Sequence, residues 1–246
     1  MNKGILVLSF DDGSADHYRL FEILAKNNIP ATFNIITSRI GEEHQLTRNQ
    51  LQEIYAHPLM EIACHSHTHQ NDECDILACK TLLQTWFDLP DNPIGFASPG
   101  SKMKYAYVRE NENHLRNLGL LYVRSAENPE PSPRHLALQN RYIDVPKFVN
   151  HNIPQFIYDF DELFVPSAVI YHNTSVDDIK ALIDIVANEK VCLVLMFHHI
   201  KQKGEDNYED LWNYDFDQMQ NLLKYISDMR TEGILDIMTT KDAFLK

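Results

Sequence analysis

The sequence is poor in the features that announce a specialised class. It has 4 cysteines, Cys64, Cys74, Cys79 and Cys192. Their spacings match neither a zinc ribbon nor a C-x-x-C pair, which argues against a structural zinc site. No apolar run approaches the roughly 18 residues of a membrane span. The opening MNKGILVLSFDDG offers only GILVL before its polar residues, too short a run for a secretory leader. A cytoplasmic protein with free thiols is the expectation. There is no internal repeat, no low-complexity segment and no Gly/Ser linker. Neither G-x-G-x-x-G nor the P-loop pattern occurs, so nucleotide-binding α/β folds lose support. Basic residues are outnumbered, 22 Lys+Arg against 35 Asp+Glu, for a net charge of -13. That balance argues against nucleic acid, which rewards clustered Lys and Arg. It also disfavours acidic wall polymers as substrates.

What remains is an ordinary globular composition, 44% hydrophobic and 23% charged over 246 residues. The length suits one α/β barrel, and residues 1–246 are expected to form a single catalytic domain. Short apolar runs at Gly4–Phe10, Ala31–Ile36, Glu61–His65, Pro93–Ala97, Leu120–Ser125, Lys190–Phe197 and Ile234–Met238 read as strands. Amphipathic stretches at His17–Asn28, Thr47–Ala56, Ile76–Phe87, Tyr105–Leu118, Ser175–Asn188, Phe216–Arg230 and Thr240–Leu245 read as helices. The proline-containing stretch 128–173 has no clean period, apart from a candidate strand at Tyr142–Phe148. Strand and helix alternate about seven or eight times, which predicts βαβ units and a parallel sheet. A (β/α) barrel and an open doubly wound sheet both fit. In either, the active site lies at the C-terminal ends of the strands.

Ionisable residues gather at those ends. The first strand stops at Asp11, Asp12 and Gly13, the third at His65, His67 and His69, the fourth at Ser98, Pro99 and Gly100. The late apolar strand stops at His198 and His199. An Asp-Asp-Gly alone is a turn signal, and a lone histidine after a strand is a loop residue. Their coincidence at equivalent topological positions is what argues for a site. His65 and His69, four residues apart, can converge on one cation. A carboxylate from a neighbouring strand would complete two His plus one carboxylate, the donor set of catalytic zinc. A second carboxylate suits a general base and a histidine across the pocket a general acid.

These residues resemble the polysaccharide deacetylases of carbohydrate esterase family four, the NodB homology domain. Ser9-Phe10-Asp11-Asp12-Gly13 is similar to the family's T-F-D-D-G block, His65-Ser66-His67-Thr68-His69 to H-[ST]-x-x-H, Pro30-Ala31-Thr32-Phe33 to its second strand and Met196-Phe197-His198 to its late L-x-H block. The resemblance implies a distorted (β/α) barrel of about seven parallel strands. It implies Asp11 as base, Asp12, His65 and His69 as metal ligands, and His198 as general acid. It also implies a divalent cofactor, Zn²⁺ first, with Co²⁺, Ni²⁺ or Mn²⁺ accepted by the same ligands. The reaction implied is removal of an N-acetyl group from an amino sugar, with the Gly100 backbone N–H stabilising the oxyanion. The N-acetylated sugar would be polymeric, lipid-linked or nucleotide-linked.

Two blocks depart from the family pattern. The third, commonly R-P-P-Y-G, reads Ala97-Ser98-Pro99-Gly100-Ser101, so the arginine that pairs with the base is missing. Arg124, at the end of the next strand, is the candidate replacement. The family's acid-tuning aspartate is not identifiable, and Asp144 is the nearest candidate. Pro99, Tyr208 and Trp212 are candidate substrate contacts, the two aromatics lying in the acidic loop after His198. The remaining histidines, His17 among them, are expected in surface or packing roles. A deformylase or other amide hydrolase on the same scaffold, and a catalytically silent glycan-binding relative, are the alternatives.

Overall fold

Seven successive buried residues, Gly4–Phe10, form β1, around which the sheet of this computed structural model is laid. The structure describes residues 2–88, 93–126, 133–142, 157 and 163–245. In chain order β1 is followed by α1 (Asp16–Lys26), β2 (Ala31–Ile35), α2 (Arg48–Ala56), β3 (Met60–Cys64) and α3 (Glu73–Phe87). Next come β4 (Ile94–Ala97), α4 (Tyr105–Glu110), α5 (Glu112–Asn117), β5 (Leu120–Ser125) and α6 (Pro133–Arg141). Then follow β6 (Phe164–Pro166), β7 (Ala168–Val169), α7 (Val176–Glu189), β8 (Cys192–Phe197), β9 (His199–Lys201), β10 (Asn213–Asp215), α8 (Phe216–Thr231), β11 (Leu235–Met238) and α9 (Thr240–Phe244).

Strand order in the main sheet is β6-β5-β4-β3-β2-β1-β8-β7, with β11 also beside β1. All of these pairings are parallel. The path closes because β6 and β7 are one run of chain divided only at Ser167. Its first half pairs with β5 and its second with β8. Ser167 N–H donates to Ser125 O at 2.9 Å, and Ile170 N–H donates to Met196 O at 2.9 Å. Counting that run once gives a barrel of seven staves, as the sequence resemblance implies. β11 lies against the lower half of β1, at Gly4–Val7, on the edge that β2 takes over at Ser9 and Phe10. The open-sheet alternative is thereby excluded.

The strands and helices foreseen from hydrophobic periodicity are present, with shifted ends. The expected helix over 105–118 is divided at Asn111, where φ/ψ is -108/17. The closing run 163–170 escaped notice because Pro166 demotes a strand. Leu163 O and Ser167 N make the bonds to β5, so by alternation Pro166 turns its missing donor away from that ladder. The short parallel pair β9 and β10 also went unforeseen. The candidate strand at Tyr142–Phe148 lies, beyond Tyr142, outside the described residues.

Most helices are stopped and started by recognisable chemistry. Thr47 closes a capping box with Gln50 ahead of α2. Asp72, Ser175, Asp215 and Thr239 each accept a backbone N–H at the start of α3, α7, α8 and α9. The larger apolar core packs helices on the outside of the barrel; Ile5, Val7, Ala63, Tyr122, Val165, Cys192 and Val194 form a second cluster. The second cluster's strand positions alternate with the outward ones, which places them inside. Going up β1, the same face carries Ile5, Val7 and then Ser9. Going up β8 it carries Cys192, Val194 and Met196. The interior therefore turns from apolar to polar towards the C-terminal end.

The opposite end is sealed by α9 and one buried carboxylate. Glu61 accepts from Tyr122 Oη, Thr32 Oγ1 and the Lys241 N–H, each at 2.8 Å. Tyr122 finds room only because residue 95 is glycine: a Cβ there would lie 2.2 Å from Tyr122 Cζ. Cys64, Cys79 and Cys192 are buried and Cys74 is exposed, and no disulfide joins them among the described residues. Among the described residues no helix is long and apolar enough to cross a membrane.

Candidate metal and catalytic centre

At the polar end the strands converge on a cavity of about 1070 Å³. Its walls include Asp11, Asp12, His65, His69, Gly100, His198 and Trp212. Asp11 extends the β1–β8 ladder, its N–H donating to Phe197 O at 2.9 Å. In a continuing strand Asp12 would point to the opposite face. Instead it adopts φ +78, and Gly13 φ +76. The turn breaks the alternation, so both carboxylates face the cavity. For a non-glycine residue that conformation costs roughly 1–2 kcal/mol.

Asp11 is 2% exposed. Its Oδ1 accepts from Asn34 Nδ2 at 2.7 Å and from the Arg124 guanidinium. Its Oδ2 lies 3.9 Å from His65 Nε2. Arg124, at the end of β5 and 1% exposed, thus forms a buried ion pair with Asp11. Its second terminal nitrogen meets Met196 Sδ. Burial favours the neutral acid at Asp11, but the charges of Arg124, His65 and His198 outweigh it and hold the carboxyl below its ordinary range. At Asp12 burial is likewise overcome, chiefly by the hydrogen bond and charge of His65, and the carboxyl is held far down.

Asp12, His65 and His69 present ligand atoms within 4.8 Å of one another. Asp12 Oδ1 is 3.4 Å from His65 Nε2 and 3.7 Å from His69 Nε2. Ligands about 2.0–2.2 Å from a tetrahedral zinc stand roughly 3.3–3.6 Å apart, so the two distances from Asp12 are close to those such an ion requires. The donor types agree as well. His65 Nδ1 lies 2.8 Å from Ala97 O, which makes Nδ1 the donor and leaves the Nε2 lone pair facing the cavity. Burial works against a proton on His65, yet the charges of Asp11 and Asp12 raise its pKa overall. The same two carboxylates would attract a metal cation.

The loop carrying His69 is held in an unusual shape. Ser66 and His69 both have positive φ, +69 and +65. Asp75, in the first turn of α3, accepts from Thr68 N–H at 2.9 and 3.0 Å, from Thr68 Oγ1 at 2.7 Å and from Gln70 N–H at 3.1 Å. His67 turns aside, its Nδ1 3.0 Å from Thr37 Oγ1.

Gly100 follows β4 with φ +56 on the cavity wall. Ser98 anchors this corner: its Oγ donates to Asn71 Oδ1 at 2.7 Å and accepts from Met103 N–H at 2.9 Å. His198 enters from the end of β8. Burial lowers its pKa, opposed by the charges of Asp11 and Asp12. Trp212 packs at its ring, with centroids 4.6 Å apart, and Tyr171 packs on Trp212 at 5.2 Å. The pair β9 and β10 frames the loop that bears Trp212. His199 lies on the rim with its Nδ1 3.6 Å from Asp16.

Two expected substrate contacts are not among the described wall residues. Pro99 is buried beneath the corner, where its carbonyl accepts from Asn71 Nδ2 at 2.9 Å. Tyr208 turns its hydroxyl to Asp215 and its ring to His172. Asp144 lies outside the described residues. Conversely, Asn34 bonds to Asp11, Asp75 holds the loop of His69, and His17 lies 2.6 Å from the His198 carbonyl oxygen; none of the three was singled out from the sequence. Asn34 had a signal, a second polar residue after Thr32 on the inward register of β2. His17 had none.

Residues 1–110 match the model of the family described as polysaccharide deacetylase. Among solved structures, the catalytic domain of a peptidoglycan N-acetylglucosamine deacetylase from Eubacterium rectale matches with a TM-score of 0.54 at 17% identity, covering 97% of this chain and 90% of that one. The Xyl-CE4 domain of a multidomain xylanase from the hindgut metagenome of Trinervitermes trinervoides matches with a TM-score of 0.51 at 15% identity, covering 99% and 90%. These likenesses show a shared barrel fold. A Streptococcus pyogenes deacetylase solved with acetate is 22% identical at a TM-score of 0.43, and the match spans 50% of this chain and 56% of that one. No curated protein sequence matches the chain. The resemblance read from the motifs is borne out: the family pattern covers residues 1–110, and the fold likeness extends through the late strand that ends at His198.

Proposed function

We propose that this protein is a metal-dependent hydrolase that removes an N-acetyl group from an amino sugar in a glycan, glycan precursor or sugar conjugate. The observation that carries the reading is the arrangement around one cavity of a salt-bridged carboxylate, a two-His-one-carboxylate cluster and a histidine at the end of the adjacent strand β8. Asp12, His65 and His69 would hold the cation, with zinc the first choice and cobalt, nickel or manganese compatible with the same donors. Such an ion supplies Lewis acidity and makes a water nucleophilic near neutral pH.

The chain's own groups supply the rest. Asp11 is the base. Arg124 and Asn34 occupy its Oδ1, which leaves Oδ2 free to take a proton from the attacking water. The Gly100 N–H is the donor for the developing oxyanion, and a site of that kind contributes about 10²–10³ in rate. An amine leaves only when protonated, and His198 is the residue placed to give that proton. Trp212, 42% exposed at the mouth, offers a face for a sugar ring. The test is release of acetate from a panel of N-acetylated sugars, abolished by chelation and restored by added metal. Formate release from the N-formyl counterparts alone would make the protein a deformylase. Binding without release would make it a silent relative.

A further inference from the structure

Helix α1 begins just after the Asp11–Asp12 turn, and its first turn grips the chain where it passes from β8 to β9. His17 Nε2 lies 2.6 Å from the carbonyl oxygen of His198. The Asp16 carboxylate accepts the Ile200 N–H. Arg19 donates to Ile200 O at 3.0 Å and pairs with Glu205 at 2.9 Å. One turn of helix therefore fixes the backbone on both sides of His199.

His17 is the buried member of this clamp, 0% exposed. Its ring sits 5.8 Å from both Phe10 and Phe33. Burial lowers its pKa, which favours the neutral ring. The carbonyl therefore requires the single N–H on Nε2. Nδ1 has no hydrogen-bond partner among the described residues. A buried polar ring with one nitrogen unsatisfied carries a free-energy cost that a phenyl ring in the same place would avoid. The bond to His198 is what the imidazole supplies in return.

His198 itself lacks the usual means of orientation. A catalytic histidine is ordinarily fixed by a hydrogen bond from its second nitrogen, yet His198 Nδ1 has no partner among the described residues. What holds the ring is the Trp212 contact on one side and the placement of its own backbone on the other. We propose that His17 is a positioning residue for His198, holding the carbonyl so that the imidazole meets the leaving nitrogen. This rests on the reading of His198 as the general acid. α1 thereby ties the acid on β8 to the base and metal ligand at the end of β1.

The role can be separated from simple structural support by the leaving group. An amide nitrogen needs a proton as its bond to carbon breaks, whereas the phenolate of an aryl acetate leaves without one. Metal-loaded wild type, His17→Phe, His17→Gln and His198→Ala are compared on an N-acetylglucosamine oligosaccharide and on 4-nitrophenyl acetate. A displacement of about 1 Å costs on the order of 100-fold. His17→Phe is therefore expected to lower kcat on the sugar by about 10–100-fold, with KM little changed and ester turnover far less affected. His17→Gln, whose amide N–H reaches towards the same carbonyl, is expected to recover much of the loss. Equal losses on both substrates, no loss on the sugar, or no recovery with glutamine would overturn the positioning role. His198→Ala provides the separate control. If it does not discriminate between the two substrates, the acid reading itself fails, whatever His17 does.

Discussion

Replacing Arg124 by methionine tests the centre most directly. The guanidinium and the Asp11 carboxylate are 1% and 3% exposed at their side chains. Two unit charges at about 4 Å attract by about 4 kcal/mol at an effective dielectric constant of 20. Desolvation offsets part of that gain, so the cost of the change is better taken from pairs broken on one side. Removing one partner of a buried pair costs about 3–5 kcal/mol, because the other charge is left uncompensated. Methionine keeps an unbranched stem against Met196, which limits the cavity term. Asn34 retains its hydrogen bond to Oδ1 but brings no charge.

The pH dependence has a definite sign. Asp11 has a depressed pKa in the folded protein. The stability it contributes is present above the carboxyl's unfolded pKa and is lost as pH falls through the folded value. The stability gap between wild type and Arg124→Met should therefore be widest near neutrality and narrow as the medium becomes acidic. Without Arg124, burial is the leading influence on Asp11 and pushes its carboxyl up. The acidic limb of kcat/KM, which reports the free enzyme's base, moves to higher pH. Urea unfolding at several pH values and a pH–rate profile on the N-acetylated substrate are the assays. A double-mutant cycle with Asp11→Asn should give a coupling above about 1 kcal/mol. An unmoved acidic limb, or a coupling near zero, would refute the assignment of Arg124 as the base's partner.

Asp11→Asn should keep its metal and lose several orders of magnitude in turnover, while His65→Ala should lose metal affinity; metal content and acetate release distinguish the two. Asp75→Ala frees the loop that bears His69 and should weaken metal binding by about 10–100-fold in a competition titration, the usual effect of removing a support to a ligand. Gly95→Ala places a methyl group against the Tyr122 ring; overpacking of this kind costs about 1–3 kcal/mol, read as a lower Tm.

The residues of the candidate site were legible because each stands at the end of a strong apolar run: Asp11 after GILVLSF, His65 after EIAC, His198 after VCLVLMF. Runs of that kind are read from local pattern alone. What could not be read depends on long-range geometry. Arg124 could be named only as a candidate, since nothing local tells a buried guanidinium at the end of LLYV from an exposed one. His17 lies within an amphipathic helix and looked like a surface or packing residue, because its partner is a backbone carbonyl 181 positions away. The closing run at 163–170 was hidden by Pro166, whose effect on a strand depends on which edge its missing donor faces. Pro99 and Tyr208 were misplaced for the converse reason. Proximity in sequence to the active corner, or to His198, does not decide which way a ring turns.

The position of β11 bears on how the molecule is made. Gly4–Val7 pair in register with Leu235–Met238, so the strand that presents Asp11 and Asp12 gains its second lower neighbour only from β11, remote in sequence. Its other neighbour, β8, is also distant in sequence. Contacts between such remote segments slow folding, since the loop must close before they repay its entropy. Before β8 and β11 are synthesised the chain can form βα units from β1 onward, but it cannot settle β1 between its partners. Completion of the proposed metal site is therefore expected late, after synthesis of β11, and chaperone protection of β1 should matter most in that interval.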